Sequence, residues 1–322
     1  MQPLSRDRGC DRPMLGGARV VVTGGAGFIG SHLVERLAAN NEVTVVDLKG
    51  DAPNLAALKD RIAYVQGDVR KPSDLEDAFR RQEYVFHLAA LVSVPESFRD
   101  PVAVNETNVH GTLAVMRAAK AAGVRRVTFA SSCAVYGGNA PPLREDAPLD
   151  LRSPYAVSKA AGELWCRLYH DLGLGTVALR LFNVYGPRQS PEGPYGAVIP
   201  KFLSAALQGE AVWTYGDGEQ TRDFVYAGDA AEAFDRAATA EDASGEVINV
   251  GAGEPTSVNG LLAAVGDVLG KPLAAGRRDP REGDIRASYA DTAKMVRVLG
   301  FRPRVSLAQG LLATAESMQG SR

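Results

Sequence analysis

The chain runs to 322 residues, 45% of them hydrophobic, with 36 basic and 38 acidic side chains for a net charge of −2. That length supports one large domain with a smaller companion, and the balance of charge argues against a nucleic-acid or membrane-surface partner. No apolar run approaches a membrane span, and the three scattered cysteines, Cys10, Cys133 and Cys166, form neither a metal pair nor a disulfide framework, which fits a reducing cytoplasm.

Residues 1–17 carry Arg6, Asp7, Arg8, Asp11 and Arg12 but no apolar stretch. They read as a flexible extension rather than a signal peptide, with the fold beginning at Ala18. Arg19–Thr23 is a short apolar strand run, followed by the glycine-dense Gly24–Gly30. Ser31–Ala39 then has helical spacing at Leu33, Val34 and Leu37. The alternation continues with strands at Glu42–Asp47, Ile62–Gln66, Tyr84–Leu88, Arg126–Ala130 and Thr176–Arg180. Helices are expected at Ser73–Arg81, Val102–Ala122 and Pro154–Leu172. Repeated strand–helix units predict an α/β fold, a doubly wound parallel sheet covered by helices on both faces. After Asn183 the pattern breaks into a stretch rich in Pro and Gly, and Val247–Val250 reads as one more strand of the large sheet. The division expected is a dinucleotide-binding domain at 18–183 plus about 223–252, and a smaller substrate-binding lobe at 184–222 and 253–322.

Gly24, Gly27 and Gly30 stand between a strand and a helix, where they allow a tight turn, close approach of backbone to a pyrophosphate, and close helix–strand packing. The helix N-terminus offers free N–H groups to the anion. Asp47 ends the next strand, about 20 residues on, where a carboxylate holds ribose hydroxyls and repels a 2′-phosphate. This favours NAD over NADP, although Lys49, two residues along, could tolerate that phosphate.

Tyr155 and Lys159 stand at i and i+4 and share one helix face. A tyrosine ordinarily ionises near pH ~10. A cation ~4 Å away favours the phenolate by ~4 kcal/mol at an effective dielectric of ~20, enough for a general acid/base. Ser132 lies beyond the end of a predicted parallel strand, where ligands of such sheets bind, and its hydroxyl could face Tyr155.

Together, Thr23-Gly-Gly-Ala-Gly-Phe-Ile-Gly30, Gly67-Asp-Val-Arg70, His87-Leu-Ala-Ala90, the Ser132/Tyr155/Lys159 trio and Arg180-Leu-Phe-Asn-Val-Tyr-Gly-Pro-Arg188 resemble the extended short-chain dehydrogenase/reductases. More narrowly, the chain is similar to NAD-dependent nucleotide-sugar 4-epimerases. Ser93-Val-Pro-Glu-Ser97, Ala197-Val-Ile-Pro-Lys201, Gly216-Asp-Gly-Glu219 and Arg281-Glu-Gly-Asp284 resemble the UDP-N-acetylglucosamine 4-epimerase group. The likeness runs from about Arg19 to Leu311.

The resemblance implies catalysis by Ser132, Tyr155 and Lys159. It implies NAD contacts from Phe28 and Ile29 in the glycine loop, Asp68 and Val69 at the adenine, and Leu88, Ala89, Ala90 and Asn108 along the cofactor. Phe182 would line the nicotinamide pocket. Asn183, Arg222 and Arg281 would address the UDP, the arginines at the diphosphate, and Ser93, Cys133, Val198 and Ser288 would border the substrate. For Arg222 alone, the plainer reading is an ion pair with Asp223.

Fold does not choose among the reactions this Tyr–Lys pair serves. Dehydratases of the resembled superfamily place Asp-Glu directly after the catalytic hydroxyl, and decarboxylating relatives usually carry a Glu in that stretch. This chain has Cys133-Ala134, which disfavours both. Epimerisation of a UDP-hexose at C4 remains, with the alternatives of a UDP-glucuronic acid 4-epimerase, in which Arg188 could face the carboxylate, or a dehydratase or reductase. Cys133 is read as an apolar filler beside the sugar, or more sharply as a reacting thiol. In the resemblance, Ser288 stands at a gate beside C2 where a small residue admits an N-acetyl group. His32, His87, His110 and His170 have no ligand spacing, so no metal is expected. The long helices are expected to pair in a homodimeric four-helix interface. A non-catalytic dinucleotide-binding regulator would be expected to lack one of the trio, and all three are present.

Overall fold

A computed structural model of the chain describes residues 14–191, 197–280 and 283–320. Six strands come first: β1 (Arg19–Thr23), β2 (Glu42–Asp47), β3 (Ile62–Gln66), β4 (Tyr84–His87), β5 (Arg126–Ser132) and β6 (Gly175–Leu181). Then come three short strands, β7 (Asn183–Tyr185), β8 (Val212–Tyr215) and β9 (Thr221–Tyr226), before the chain returns at β10 (Val247–Val250). Strands β1–β6 and β10 form one seven-stranded sheet in the order β10-β6-β5-β4-β1-β2-β3, every pair parallel. The chain crosses from β3 to β4 on the other side of β1. The crevice between the ends of β1 and β4 is therefore the switch point where such sheets bind ligands.

The helices are α1 (Phe28–Leu37), α2 (Pro72–Phe79), α3 (Val94–Arg99), α4 (Pro101–Val104), α5 (Gly111–Ala121), α6 (Pro154–Asp171), α7 (Val198–Gln208), α8 (Ala227–Thr239), α9 (Val258–Leu269), α10 (Ala293–Leu299) and α11 (Leu307–Gly320). Alternation along β1 shows why both sheet faces need cover. Val20 and Val22 enter the core that α1, α8 and α10 close, whereas Val21 enters the core under α2, α5 and α6. A separate core joins Phe202 and Leu203 of α7, Leu261 of α9, Leu311 of α11 and Phe224 of β9. This is the smaller lobe, with β9 at the centre of a small sheet between β13 (Ala287–Ser288) and β11 (Pro255–Ser257), and β7 also paired to β9. A two-stranded parallel pair, β8 with β12 (Ala275–Arg278), stands apart from it.

The expected strands lie within two residues of where the apolar runs put them, and four larger features differ. The fold begins before Ala18: Leu15 is buried, its N–H donates to Asp235 (3.0 Å), and Gly17 N–H donates to Asn40 (2.7 Å). Helix α1 starts at Phe28 rather than Ser31, with Gly27 as its N-cap, so the last part of the glycine loop is already helical. The helix expected over Val102–Ala122 contains a wide π turn at Asn105–His110. There the Thr112 hydroxyl donates to the Asn108 carbonyl, a side-chain competitor for a main-chain acceptor. Finally, β9 belongs to the small sheet, and α10 packs Met295, Val298 and Leu299 into the large core. Helix α8, which follows β9, packs into that same large core. Of residues 1–17, the first 13 lie outside the described residues.

Candidate functional site

A cavity of about 690 Å³ opens at the switch point, and its floor is the glycine loop, with Gly24, Gly27, Phe28, Ile29 and Gly30 all lining it. Gly24 has φ +73°, and a Cβ there would stand 2.6 Å from the Ala89 nitrogen. A Cβ on Gly30 would collide with the Gly24 carbonyl. Glycine is therefore required for the loop to pass under β4 and deliver the α1 N-terminus to the cavity. Asp47 lines the rim. Its carboxylate accepts from Ala26 N–H (3.0 Å) and Lys49 N–H (3.2 Å), which fixes it against the loop. Asp68 and Val69 line the same end, the Asp68 carboxylate gripped by the Arg70 guanidinium (2.6 Å), which holds it below the usual carboxylate range. Leu88, Ala89 and Ala90 form the wall after β4. Asn108 stands behind that wall: its side chain accepts from Leu91 N–H (2.8 Å) and donates to the Leu91 carbonyl (2.9 Å) and to Ser158 (3.0 Å). Its polar atoms are spent on the protein, so it shapes the wall.

At the other end the cavity reaches Ser132, Tyr155, Lys159 and Phe182. Ser153 caps α6, its hydroxyl accepting from Ala156 N–H (3.1 Å), and so sets the turn that carries Tyr155. The Ser132 hydroxyl accepts from Ala134 N–H (3.2 Å) and lies beside the Tyr155 phenol. Lys159 Nζ donates to the Ala130 carbonyl (2.8 Å) and lies 5.7 Å from the centre of the Tyr155 ring. Both groups are buried, at 8% and 3% exposure. Burial pushes the phenol up to about 12, opposed by the neighbouring Ser132 hydroxyl. The same burial pulls the Lys159 ammonium down to about 8, opposed by the Glu163 carboxylate. Burial of both members therefore acts against the acidification expected from a Coulomb argument alone.

On the substrate side, Cys133 and Ser288 are neighbours. Burial, with the Asp223 carboxylate adding to it, pushes the Cys133 thiol up to about 12. The plain reading of Arg222 as a partner of Asp223 is wrong. Arg222 pairs with Asp284 and donates to the Ile285 (2.6 Å) and Thr221 (2.8 Å) carbonyls. Asp223 is fully buried and accepts N–H bonds from Ala252 (2.7 Å), Gly253 (3.0 Å) and Ala290 (3.0 Å). Asn183 donates to the Asp223 carbonyl (3.1 Å). Ser93 is the N-cap of α3, and Val198 opens α7. Arg281 lies outside the described residues. Arg188 turns to α1, donating to Glu35 (2.6 Å) and to His32 (2.8 Å). It does not line the cavity.

Sequence reasoning missed the layer behind the trio. Glu163 and Arg180 form a buried bidentate pair (2.8 Å for each bond), and the Glu163 carboxylate also receives the Ser131 hydroxyl. The signal that could have found it was Glu163 standing four residues after Lys159 on the same helix face. Among the described residues no cluster of His, Cys, Asp and Glu could hold a metal, and no helix is long and apolar enough to cross a membrane.

The parallel sheet, the glycine cradle that a Cβ would fill, the Asp47 carboxylate and the Ser132–Tyr155–Lys159 group define a dinucleotide-binding protein of the extended short-chain dehydrogenase/reductase class. Residues 20–251 match the NAD dependent epimerase/dehydratase family. The chain is 40% identical over 308 residues to a UDP-glucose 4-epimerase of Mycolicibacterium smegmatis, covering 92% of this chain and 97% of the relative. Among solved structures it resembles a UDP-N-acetylglucosamine 4-epimerase of Methanobrevibacter ruminantium M1 in complex with UDP-N-acetylmuramic acid (TM-score 0.91, 39% identity, 96% of this chain and 100% of that one). It also resembles a Thermus thermophilus UDP-glucose 4-epimerase complex with NAD (TM-score 0.85, 37% identity, 94% and 100%). The chain belongs to the NAD-dependent epimerase/dehydratase family, and its cofactor is NAD.

Proposed function

We propose that the protein interconverts the C4 epimers of a UDP-hexose, with UDP-GlcNAc/UDP-GalNAc accepted and UDP-Glc/UDP-Gal possible as well. The observation that carries this reading is the Tyr155 phenol beside the Ser132 hydroxyl at the cavity end, with Cys133-Ala134 after Ser132 offering no acid to expel hydroxide. Tyr155 takes the 4-OH proton while Ser132 holds the same oxygen. Bound NAD supplies the hydride acceptor, and its oxidised ring adds a positive charge that favours the phenolate. The flat 4-keto sugar then turns about its diphosphate link, is reduced on the other face, and recovers its proton from Tyr155. Cys133 is held as a protonated thiol and Ala134 has no exchangeable proton, so elimination of water lacks its acid and base.

Acceptance of N-acetyl sugars is supported by the small Ser288 beside Cys133 and by the structural neighbour that is itself a UDP-N-acetylglucosamine 4-epimerase. A uronic acid is disfavoured because Arg188 is committed to Glu35 and His32. In this reading the lobe around β9 holds the UDP, with Asn183, Arg222 and Arg281 toward the nucleotide and Ser93 and Val198 at the sugar's border. The free thiols Cys133 and Cys166 suit a reducing cytoplasm. The outer faces of α3, α4 and α6 expose Phe98 (60%), Val102 (65%) and Leu164 (69%), and we assign them to the homodimer contact, which sizing in solution tests.

The direct test incubates NAD-loaded protein with UDP-GlcNAc, UDP-Glc and UDP-glucuronic acid and reads C4 configuration by NMR. Interconversion of a UDP-hexose without steady NADH release is expected. A protein that holds NAD yet epimerises none of them would refute the proposal, and steady NADH turnover would show a reductase instead.

A further inference from the structure

We infer that His87 is a positioning residue for the NAD site: as a neutral imidazole with its proton on Nε2, it closes a one-way hydrogen-bond path between the cofactor-lining loop after β4 and the helix that carries Tyr155 and Lys159. Donor and acceptor accounting fixes the direction. The Thr112 hydroxyl spends its only proton on the Asn108 carbonyl. Toward His87 Nε2, 2.9 Å away, Thr112 can therefore only accept, so Nε2 carries the hydrogen. His87 is 1% exposed, and burial, with the Lys159 charge acting the same way, keeps the ring neutral. Nδ1 is then a bare acceptor and takes the Thr23 hydroxyl proton at 2.7 Å. The Thr23 oxygen in turn faces the Ala89 N–H at 3.5 Å.

The two ends of this path meet the same loop. Ala89 hangs on Thr23, while Asn108, whose carbonyl ends the path, clasps Leu91 through both its N–H and its carbonyl. The Asn108 amide also donates to Ser158, and the Ser158 hydroxyl donates to the Tyr155 carbonyl (2.8 Å). The wall of the cofactor cavity and the first turn of α6 are thus held by one set of bonds through a single imidazole. The two ring nitrogens of His87 between them reach both hydroxyls.

The inference rests on NAD occupying this cavity, and its test separates the two. In holoenzyme labelled with ¹⁵N-histidine, the His87 ring is expected to show protonated Nε2 and bare Nδ1, unchanged from about pH 5 to about pH 8, where an ordinary imidazole titrates. Its signal is found by elimination with His32, His110 and His170 substituted in turn. His87→Phe keeps a ring in place but strands both hydroxyls, and NAD should bind ~10-fold or more weakly, as measured by calorimetry on the stripped protein. Leu75→Ala, in the core beneath α2 and away from the path, should lower the melting temperature while leaving NAD affinity within ~2-fold, which marks what a purely structural loss looks like. A protonated Nδ1, a titrating ring, or a folded His87→Phe protein that binds NAD as tightly as the parent would overturn the inference. If His87→Phe does not fold, the tautomer of the parent decides. A parent that shows the expected tautomer but takes up no NAD would overturn the cofactor assignment, and with it the positioning role.

Discussion

Lys159→Met should stabilise the fold while removing activity, and the size of the gain can be worked from the site. The ammonium is 3% exposed and burial pulls its pKa from 10.5 to about 8. At roughly 1.4 kcal/mol per unit, keeping that charge at neutral pH costs the folded protein about 3 kcal/mol. Methionine fills the space without the charge but abandons the bond to the Ala130 carbonyl, a loss of about 1 kcal/mol. The net gain is about 2 kcal/mol, or about 3 °C in melting temperature for a chain of this size. Between about 8 and 10.5 the unfolded chain binds more protons than the folded one, so the parent gains stability with rising pH. The advantage of Lys159→Met is therefore full below about 8 and gone by 10.5. The assay is denaturant unfolding of both proteins, stripped of nucleotide and at equal concentration. A variant less stable than the parent at pH 7, or an advantage that does not shrink across that window, would refute the reasoning.

Tyr155→Phe leaves the ring packed and removes only the phenol, so turnover should fall ~10³-fold with NAD content and melting temperature little changed; steady-state kinetics and cofactor release after acid quench check it. Gly24→Ala puts a Cβ 2.6 Å from the Ala89 nitrogen at a φ of +73°. It should cost ~1–3 kcal/mol of stability and most NAD binding, read by thermal melts with and without added NAD. Ser288→Tyr should abolish epimerisation of N-acetyl sugars while sparing UDP-Glc, and equal loss on both in a substrate panel would refute the gate.

The large sheet was legible because its strands are covered on both faces and so read as unbroken apolar runs, Val20–Val22 and Val43–Val46 among them. The glycine cradle was legible for a related reason: a Cβ at Gly24 or Gly30 has no room, so the residue type reports the backbone. The smaller lobe was not, since its strands are short and set against one another by residues far apart in the chain, as β9 is against β13 and β7. Side-chain partners were the least legible. Arg222 stands beside Asp223 in the chain yet pairs with Asp284, because neighbours on a strand face opposite ways. Asn108 shows the same limit: its type and position suit a ligand contact, but its hydrogen bonds are already taken by Leu91 and Ser158.

The Tyr155–Lys159 pair is where local spacing said most and burial went unread. An i, i+4 pair supplies a Coulomb term that acidifies the phenol, but the same helix face is buried, and desolvation acts on both groups at once. Tyrosine rises to about 12 and lysine falls to about 8, so the protein's own groups favour a neutral phenol beside an ammonium that titrates near working pH. Acidifying such a phenol takes further positive charge in the same buried volume, and the cavity that both side chains line is the one the glycine loop opens toward. In the reading proposed above, the oxidised ring of bound NAD would supply that charge, a requirement set by burial, which no pattern of residues along a single helix reveals.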